Sequence, residues 1–142
     1  MTLIERLRDS QFLRFAIVGG SGFFVNEAVL FLAIRFLHLG PYAGGVFAFL
    51  VTVTYTWWGN RMLTFRADAA HGGRAIVLEW FKFVMANTLG FLVNYAIYVS
   101  LVTWAPAPLN SPYVALAVGT LVGLIFNFTL SKRFVFHINS AG

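Results

Sequence analysis

The stretch Gly22-Phe23-Phe24-Val25-Asn26 returns 68 positions later as Gly90-Phe91-Leu92-Val93-Asn94. Each copy lies within a long apolar segment, and further residues match on both sides of it at spacings of 68 or 71. The matching pairs are Phe15 with Phe83, Pro41-Tyr42 with Pro112-Tyr113, and Phe65 with Phe136. The sequence therefore predicts a tandem duplication of one two-helix unit, with repeat one over about 12–66 and repeat two over about 80–137. Many transporters contain such repeats, with the substrate site near the middle of the bilayer.

The composition is typical of a protein that resides in a membrane. Hydrophobic residues make up 59% of the 142 residues, charged residues only 11%, and the mean hydropathy is +0.78. A membrane-spanning helix needs about 20 mostly apolar residues. The sequence predicts four such helices, at 13–37, 42–62, 81–104 and 112–133. We therefore expect residues 1–142 to form a single all-α membrane domain with four transmembrane helices.

The distribution of charge predicts the orientation in the membrane. Nine of the ten Lys and Arg residues lie on one side of the predicted spans, and Arg35 is the exception. By the positive-inside rule that side faces the cytoplasm. We therefore expect a multi-pass protein of the cytoplasmic (inner) membrane with both termini in the cytoplasm. Because each repeat contains two spans, both repeats have the same topology.

Two shorter segments lie outside the predicted spans. Thr2 and Glu5 have the spacing of a capping box, and the alternation of apolar and charged residues around them predicts a short amphipathic N-terminal helix. We interpret this helix as an interfacial anchor in preference to a sensor of lipid headgroups. The segment 66–79 has the composition of a flexible cytoplasmic link between the repeats, and it carries no catalytic signal.

Several kinds of site are not expected from this sequence. There is no cysteine, which excludes disulfides and thiolate metal sites, and no catalytic triad, paired carboxylate or nucleotide motif appears. We therefore expect no enzymatic activity, cofactor, metal site or nucleic-acid partner. The run Gly19-Gly20-Ser21-Gly22 lies inside an apolar span without a preceding strand, which favours close helix packing over phosphate binding. Gly44, Gly45, Gly119 and Gly123 are interpreted in the same way.

Polar residues within the predicted spans are candidates for a binding site. Glu27 is the only acidic residue in a predicted span, and it lies 12 residues beyond Phe15, about 18 Å along a span of about 30 Å. A charge at that depth costs about 3 kcal/mol. Asn26 matches Asn94 in the repeat, and Glu27 matches Tyr95. We predict a mid-membrane polar cluster of these four residues. The alternative is a protonated Glu27 that joins helices through hydrogen bonds to the asparagines.

Two further polar layers lie closer to the cytoplasm. Asn87 in span three and Asn127 in span four either hydrogen-bond across helices or contact a polar ligand. Arg61 ends span two, and Lys132 and Arg133 end span four. These cations either follow the orientation rule or bind a phosphate through charge-assisted hydrogen bonds. Because both repeats carry them at matching ends, the phosphate interpretation is as strong as the other.

Several segments, taken in order over about 12–136, resemble the GtrA-like family. They are Phe12-Leu13-Arg14-Phe15-Ala16-Ile17-Val18-Gly19-Gly20, Asn60-Arg61-Met62-Leu63-Thr64-Phe65, Phe81-Lys82-Phe83, Asn127-Phe128, and Lys132-Arg133-Phe134-Val135-Phe136. The resemblance implies a small four-span inner-membrane protein of cell-surface polysaccharide synthesis that helps to move polyprenyl-phosphate-linked sugars across the membrane. The chain departs from the family pattern at Thr56, where asparagine is common, and at Ser131-Lys132, which replaces Asn-Arg.

The residues and the resemblance together predict translocation of a lipid-linked sugar phosphate. Arg61, Lys132 and Arg133 would bind the phosphate, the asparagines and Glu27 would bind the sugar, and the prenyl tail would stay among the membrane lipids. Four helices do not enclose a wide pore, so a lateral groove or a homodimer interface is required, and we favour the homodimer. One alternative is a small multidrug-type, proton-coupled exporter that uses Glu27. Another is an accessory subunit with a membrane glycosyltransferase as its partner.

Overall fold

A computed structural model describes residues 1–136, apart from the side chain of residue 7. This part of the chain is helical and contains no strand. π-helical segments, Asn60–Thr64 and Ser131–Phe136, continue the third and fifth α-helices directly. The predicted end of repeat two, at residue 137, lies outside the described residues. The α-helices are α1 (Leu3–Asp9), α2 (Gln11–Arg35), α3 (Pro41–Gly59), α4 (Gly73–Trp104) and α5 (Pro112–Leu130).

Three helical stretches within residues 1–136 are long and apolar enough to cross a membrane: Gln11–Arg35, Gly73–Trp104 and Pro112–Phe136. The prediction of an all-α membrane protein is therefore confirmed. Helix α3 is not among the three, although its 19 residues extend about 28 Å. Its C-terminal half contains several threonine, tyrosine and tryptophan residues, which lower its hydropathy. The fourth span stays a prediction.

Local sequence signals determine where the helices begin. Proline opens both α3 and α5, after Gly40 and Ser111 in extended backbone, as the sequence predicts. Before α1, the backbone N–H of Thr2 donates to Oε2 of Glu5 at 2.7 Å, and the N–H of Glu5 donates to Oγ1 of Thr2 at 3.2 Å. The capping box therefore forms. The amphipathic anchoring role of α1 stays a prediction.

The prediction of a flexible link over 66–79 is wrong for its second half. Helix α4 begins at Gly73, directly after Gly72, whose φ of +94° favours glycine. Residues 74–80 contain no glycine or proline, and they extend the apolar helix by two turns. Glu79 therefore lies inside a helix that is long and apolar enough to span a membrane. The interpretation of Glu27 as the only acidic residue in a span stays a prediction, because the 32 residues of α4 exceed the about 20 residues that cross a bilayer.

The chain forms two compact units, the first over Met1–Trp80 and the second from Phe81 onward. In the first unit α2 packs along α3, and the buried rings of Phe15 and Phe65 meet edge to face with centroids 6.2 Å apart. In the second unit Phe83 and Phe136 meet in the same way, with centroids 6.3 Å apart. The first pair joins α2 to the residue that follows the segment Asn60–Thr64, and the second pair joins α4 to the last residue of the segment Ser131–Phe136.

Candidate functional site

The first unit contains a buried ion pair that the sequence did not predict. Glu79 is 2% exposed, and its Oε1 lies 2.8 Å from Nη1 of Arg61. Trp57 Nε1 donates to the same oxygen at 3.1 Å, and the backbone N–H of Ala70 donates to Oε2 at 2.6 Å. Nη2 of Arg61 also donates to the carbonyl oxygen of Ala70, at 2.5 Å. Both oxygens of the carboxylate are thus hydrogen-bonded, which is what a buried charge requires.

This ion pair fixes the end of the first unit. Trp57 and Arg61 come from α3 and its π-helical continuation, Glu79 comes from α4, and Ala70 belongs to the turn between them. Sequence reasoning missed Glu79 because it assigned 66–79 to a link. The available signal was the run 75–81, Ala-Ile-Val-Leu-Glu-Trp-Phe, in which one carboxylate interrupts an apolar segment. A carboxylate that is buried with such a segment needs a cation or hydrogen-bond donors beside it. The phosphate-binding role of Arg61 stays a prediction.

An open surface pocket of about 380 Å³, called the basic cavity below, lies at the end of the second unit and is lined by Phe128, Thr129, Lys132 and Arg133. Ser131, the first residue of the π-helical segment, is fully buried, and the two cations that follow it are exposed. The ammonium of Lys132 lies 5.8 Å from the centre of the Phe128 ring. The basic cavity is thus lined by two of the three cations predicted to bind phosphate, Lys132 and Arg133. The other lining residues are Thr129, which has a hydroxyl group, and Phe128.

The second unit carries positive charge without acidic side chains. Its basic residues are Lys82, Lys132 and Arg133. All five acidic residues of the protein belong to the first unit: Glu5, Asp9, Glu27, Asp68 and Glu79. No carboxylate side chain of the second unit can therefore neutralise the cavity, which makes it favourable for an anion.

The two asparagines of the predicted cytoplasmic layer contact each other within the second unit. Nδ2 of Asn127 donates to Oδ1 of Asn87 at 3.0 Å, and Nδ2 of Asn87 donates to the carbonyl oxygen of Phe83 at 3.0 Å. The hydroxyl of Ser131 donates to Oδ1 of Asn127 at 3.4 Å. These bonds join α4 to α5, and Ser131, the last residue of this series, directly precedes Lys132 of the basic cavity. Whether the asparagines also bind a ligand stays a prediction.

The predicted mid-membrane cluster includes residues from both units. In the first unit Oδ1 of Asn26 accepts a hydrogen bond from the Thr52 hydroxyl at 3.3 Å, so this asparagine joins α2 to α3. Glu27 is exposed, and its side chain makes no hydrogen bond or ion pair to another described residue. In the second unit Asn94 packs against the α5 backbone at Gly119 and Gly123. A shared role for Asn26, Glu27 and Asn94 stays a prediction.

Glycines allow close helix contacts in both units. A Cβ on Gly22 would lie 2.6 Å from Cγ2 of Thr56, and a Cβ on Gly90 would lie 3.0 Å from Cβ of Asn127. Gly19, Gly20 and Gly22 lie within the continuous helix α2, so they form no phosphate-binding turn. The predicted packing role applies to Gly22, Gly44, Gly119 and Gly123, whereas Gly19, Gly20 and Gly45 have open space beside them.

The comparison with protein families identifies a transmembrane domain over most of the chain. The family described as GtrA/DPMS, transmembrane domain, matches residues 14–137, nearly the whole chain. The chain belongs to the GtrA/DPMS transmembrane domain family. The resemblance that the sequence motifs indicated is therefore confirmed. A comparison with curated proteins finds no significant match.

In this GtrA/DPMS domain the cations of the two units differ in exposure and pairing. In the first unit the guanidinium of Arg61 is 11% exposed and already pairs with a carboxylate. In the second unit Lys132 and Arg133 are exposed and line a cavity. Within residues 1–136, no group of His, Asp and Glu side chains is arranged to hold a metal ion. Charge-assisted hydrogen bonding to an anion is the chemistry that the second unit offers.

Proposed function

We propose that this protein translocates a polyprenyl-phosphate-linked sugar across the cytoplasmic membrane for the synthesis of a surface polysaccharide or glycan. Membership of the GtrA/DPMS family indicates a membrane function related to polyprenyl-phosphate sugars. The observation that carries the proposal is the basic cavity of the second unit, which lies at the end of a helix apolar enough to span the bilayer. A phosphate fits the cations, and a prenyl tail fits the surrounding lipid.

The proposal includes four spans in two tandem repeats, with both termini in the cytoplasm. The matching phenylalanine pairs and the π-helical segments that continue both α3 and α5 support a duplicated unit. The excess of Lys and Arg on one side supports the orientation. In this scheme the protein moves its substrate without chemical change, and a homodimer shields the sugar from hydrocarbon.

We expect the basic pair to be required for translocation. The variant Lys132→Gln/Arg133→Gln should lower the rate at least about tenfold, because each charged hydrogen bond contributes about 1.5–3 kcal/mol. The assay uses purified protein in liposomes and a fluorescent short-chain prenyl-phosphate glucose, with quenching from outside. The control Arg66→Gln/Arg74→Gln removes the same charge from exposed positions outside the cavity. Equal rates for the two variants would contradict a role for the cavity.

The same assay separates the proposal from its alternatives. Glu27→Gln keeps hydrogen-bonding capacity at an exposed position, so sugar-lipid translocation should persist within about threefold. A proton-coupled exporter would instead lose activity, because its carboxylate carries the proton. Translocation by the purified protein alone would exclude a purely accessory role beside a glycosyltransferase. Failure of the wild-type protein to move the lipid without a partner would contradict the proposal.

A further inference from the structure

The two units present equivalent ends with different surroundings. At the repeat spacing of 71, Arg61 corresponds to Lys132 and Trp57 corresponds to Phe128. In each unit the cation lies in the π-helical segment that continues the second helix of the predicted repeat. Each end therefore has a cation four residues after an aromatic residue.

The first end is occupied by the protein itself. The carboxylate of Glu79 lies 2.8 Å from the guanidinium of Arg61, and it also accepts the indole N–H of Trp57. The second nitrogen of the guanidinium is bonded to the carbonyl oxygen of Ala70. An external phosphate would have to displace a buried carboxylate that accepts hydrogen bonds from Trp57, Arg61 and Ala70. Glu79 thus takes the place of an anionic ligand.

The second end is open to a ligand. Lys132 and Arg133 are both exposed beside the cavity of about 380 Å³, and the second unit has no acidic side chain to pair with them. Leu121 and Ile125 precede Thr129 on the same face of α5 by eight and four residues, and they are 55% and 49% exposed. An apolar strip therefore leads directly away from the cations, as a lipid tail requires.

We infer that each chain has one anion site, in the second unit, which binds the phosphate of a prenyl lipid through Lys132 and Arg133. Glu79 prevents the first unit from forming the equivalent site. Arg61 is then part of the framework and not a ligand of the substrate. The identity of the lipid as a prenyl phosphate rests on the proposed function, whereas the location and number of sites rest on the ion pair and the cavity.

The test measures binding to the full-length protein in phosphatidylcholine nanodiscs. Farnesyl phosphate is the probe, farnesol is the probe without charge, and inorganic phosphate is the probe without a tail. We expect one farnesyl phosphate per chain and at least tenfold weaker binding of either partial probe. Binding of inorganic phosphate as tight as that of farnesyl phosphate would overturn the lipid assignment.

Two paired variants locate the site. Lys132→Gln/Arg133→Gln should weaken farnesyl phosphate binding at least tenfold. Arg61→Gln/Glu79→Gln removes the ion pair without leaving a buried charge, and its affinity should stay within twofold of the wild type. Two bound probes per chain in the wild type, or unchanged binding in the first variant, would overturn the inference. So would a tenfold loss in the second variant when circular dichroism shows it to be folded.

Labelling of the wild-type protein gives an independent answer that does not depend on a variant folding. A farnesyl phosphate with a photoreactive group on its tail should label peptides within 121–133, and it should leave the peptide over 57–61 unlabelled. Labelling of 57–61 would overturn the inference. The binding and transport assays test the two proposals separately. Binding as expected without translocation rejects only the proposed function. Translocation by the Lys132→Gln/Arg133→Gln variant at the wild-type rate rejects the binding site.

Discussion

Glu79→Ala should destabilise the folded protein by about 3–5 kcal/mol, the usual consequence of removing one partner of a buried ion pair. Alanine leaves the guanidinium of Arg61 charged at 11% exposure, and it removes the acceptor of the indole N–H and of the backbone N–H of Ala70. The turn between α3 and α4 would lose its main attachment. We expect an SDS-induced unfolding transition, followed by circular dichroism in mixed micelles, to move to much lower SDS concentration.

Two further variants make this result specific. Asp9→Ala removes a carboxylate that is exposed, lies outside the helices able to span a membrane and is bonded to no other described residue, so its effect should stay within about 0.5 kcal/mol. Arg61→Met/Glu79→Leu removes both charges, so it should recover the part of the loss that comes from the unpaired guanidinium, while the N–H groups of Trp57 and Ala70 still lack their acceptor. If Glu79→Ala unfolds at the same SDS concentration as Asp9→Ala, the ion pair does not hold the first unit together.

Much of the fold follows from signals that are local in the sequence. Proline at the first helical position marks the starts of α3 and α5. The apolar length of α2, α4 and α5 predicts that they can cross a membrane. The phenylalanines that match in the predicted repeat, such as Phe15 and Phe83, are buried, each in its own unit. Such features depend on a few neighbouring residues or on a periodicity, so a single sequence contains them.

The beginning of α4 and the π-helical segments could not be predicted in the same way. Gly73 offers no proline or capping side chain, so the helix start has no clear local signal. The choice between α-helix and π-helix depends on which carbonyl each N–H reaches. The first residues of the two π-helical segments, Asn60 and Ser131, are buried. The start of α4 and the π-helical segments therefore have no signal in the neighbouring residues from which they could be predicted.

The sequence also does not distinguish the roles of the cations at the candidate site. Arg61 and Lys132 look alike in sequence, because both follow an aromatic residue near the end of an apolar helix. What distinguishes them is Glu79, which lies 18 residues beyond Arg61 and reaches it only when the first two turns of α4 pack against the end of α3. Sequence position alone therefore does not distinguish Arg61, which is held in an ion pair, from Lys132 and Arg133, which line the basic cavity.

The second large effect is expected in the packing of α5 against α4 within the second unit. A Cβ on Gly119 would lie 2.6 Å from Oδ1 and 2.7 Å from the backbone oxygen of Asn94. A Cβ on Gly123 would lie 2.9 Å from Cβ of Asn94 and 2.9 Å from the backbone oxygen of Gly90. Because two of these neighbours are backbone atoms, rotation of a side chain cannot relieve the contacts. The helices have to separate.

Gly119→Ala/Gly123→Ala should therefore destabilise the protein by about 2–6 kcal/mol, since each overpacked position typically costs about 1–3 kcal/mol. Separation of the helices also lengthens the hydrogen bond between Asn87 and Asn127, which is 3.0 Å in the native packing. Helices in lipid associate through close packing and such hydrogen bonds, because no hydrophobic force drives them together. The SDS unfolding midpoint and the yield of monodisperse protein measure the effect.

Gly45→Ala is the matched control for this prediction. Gly45 also lies in an apolar helix, but a Cβ there meets nothing within 4 Å. Alanine has the higher helix propensity, so this variant should be as stable as the wild type or more stable, by up to about 1 kcal/mol. Equal stability of the double variant and the control would mean that α4 and α5 do not approach as closely as the structure shows. A loss confined to the double variant would show that the missing side chains at Gly119 and Gly123 set the distance between the helices.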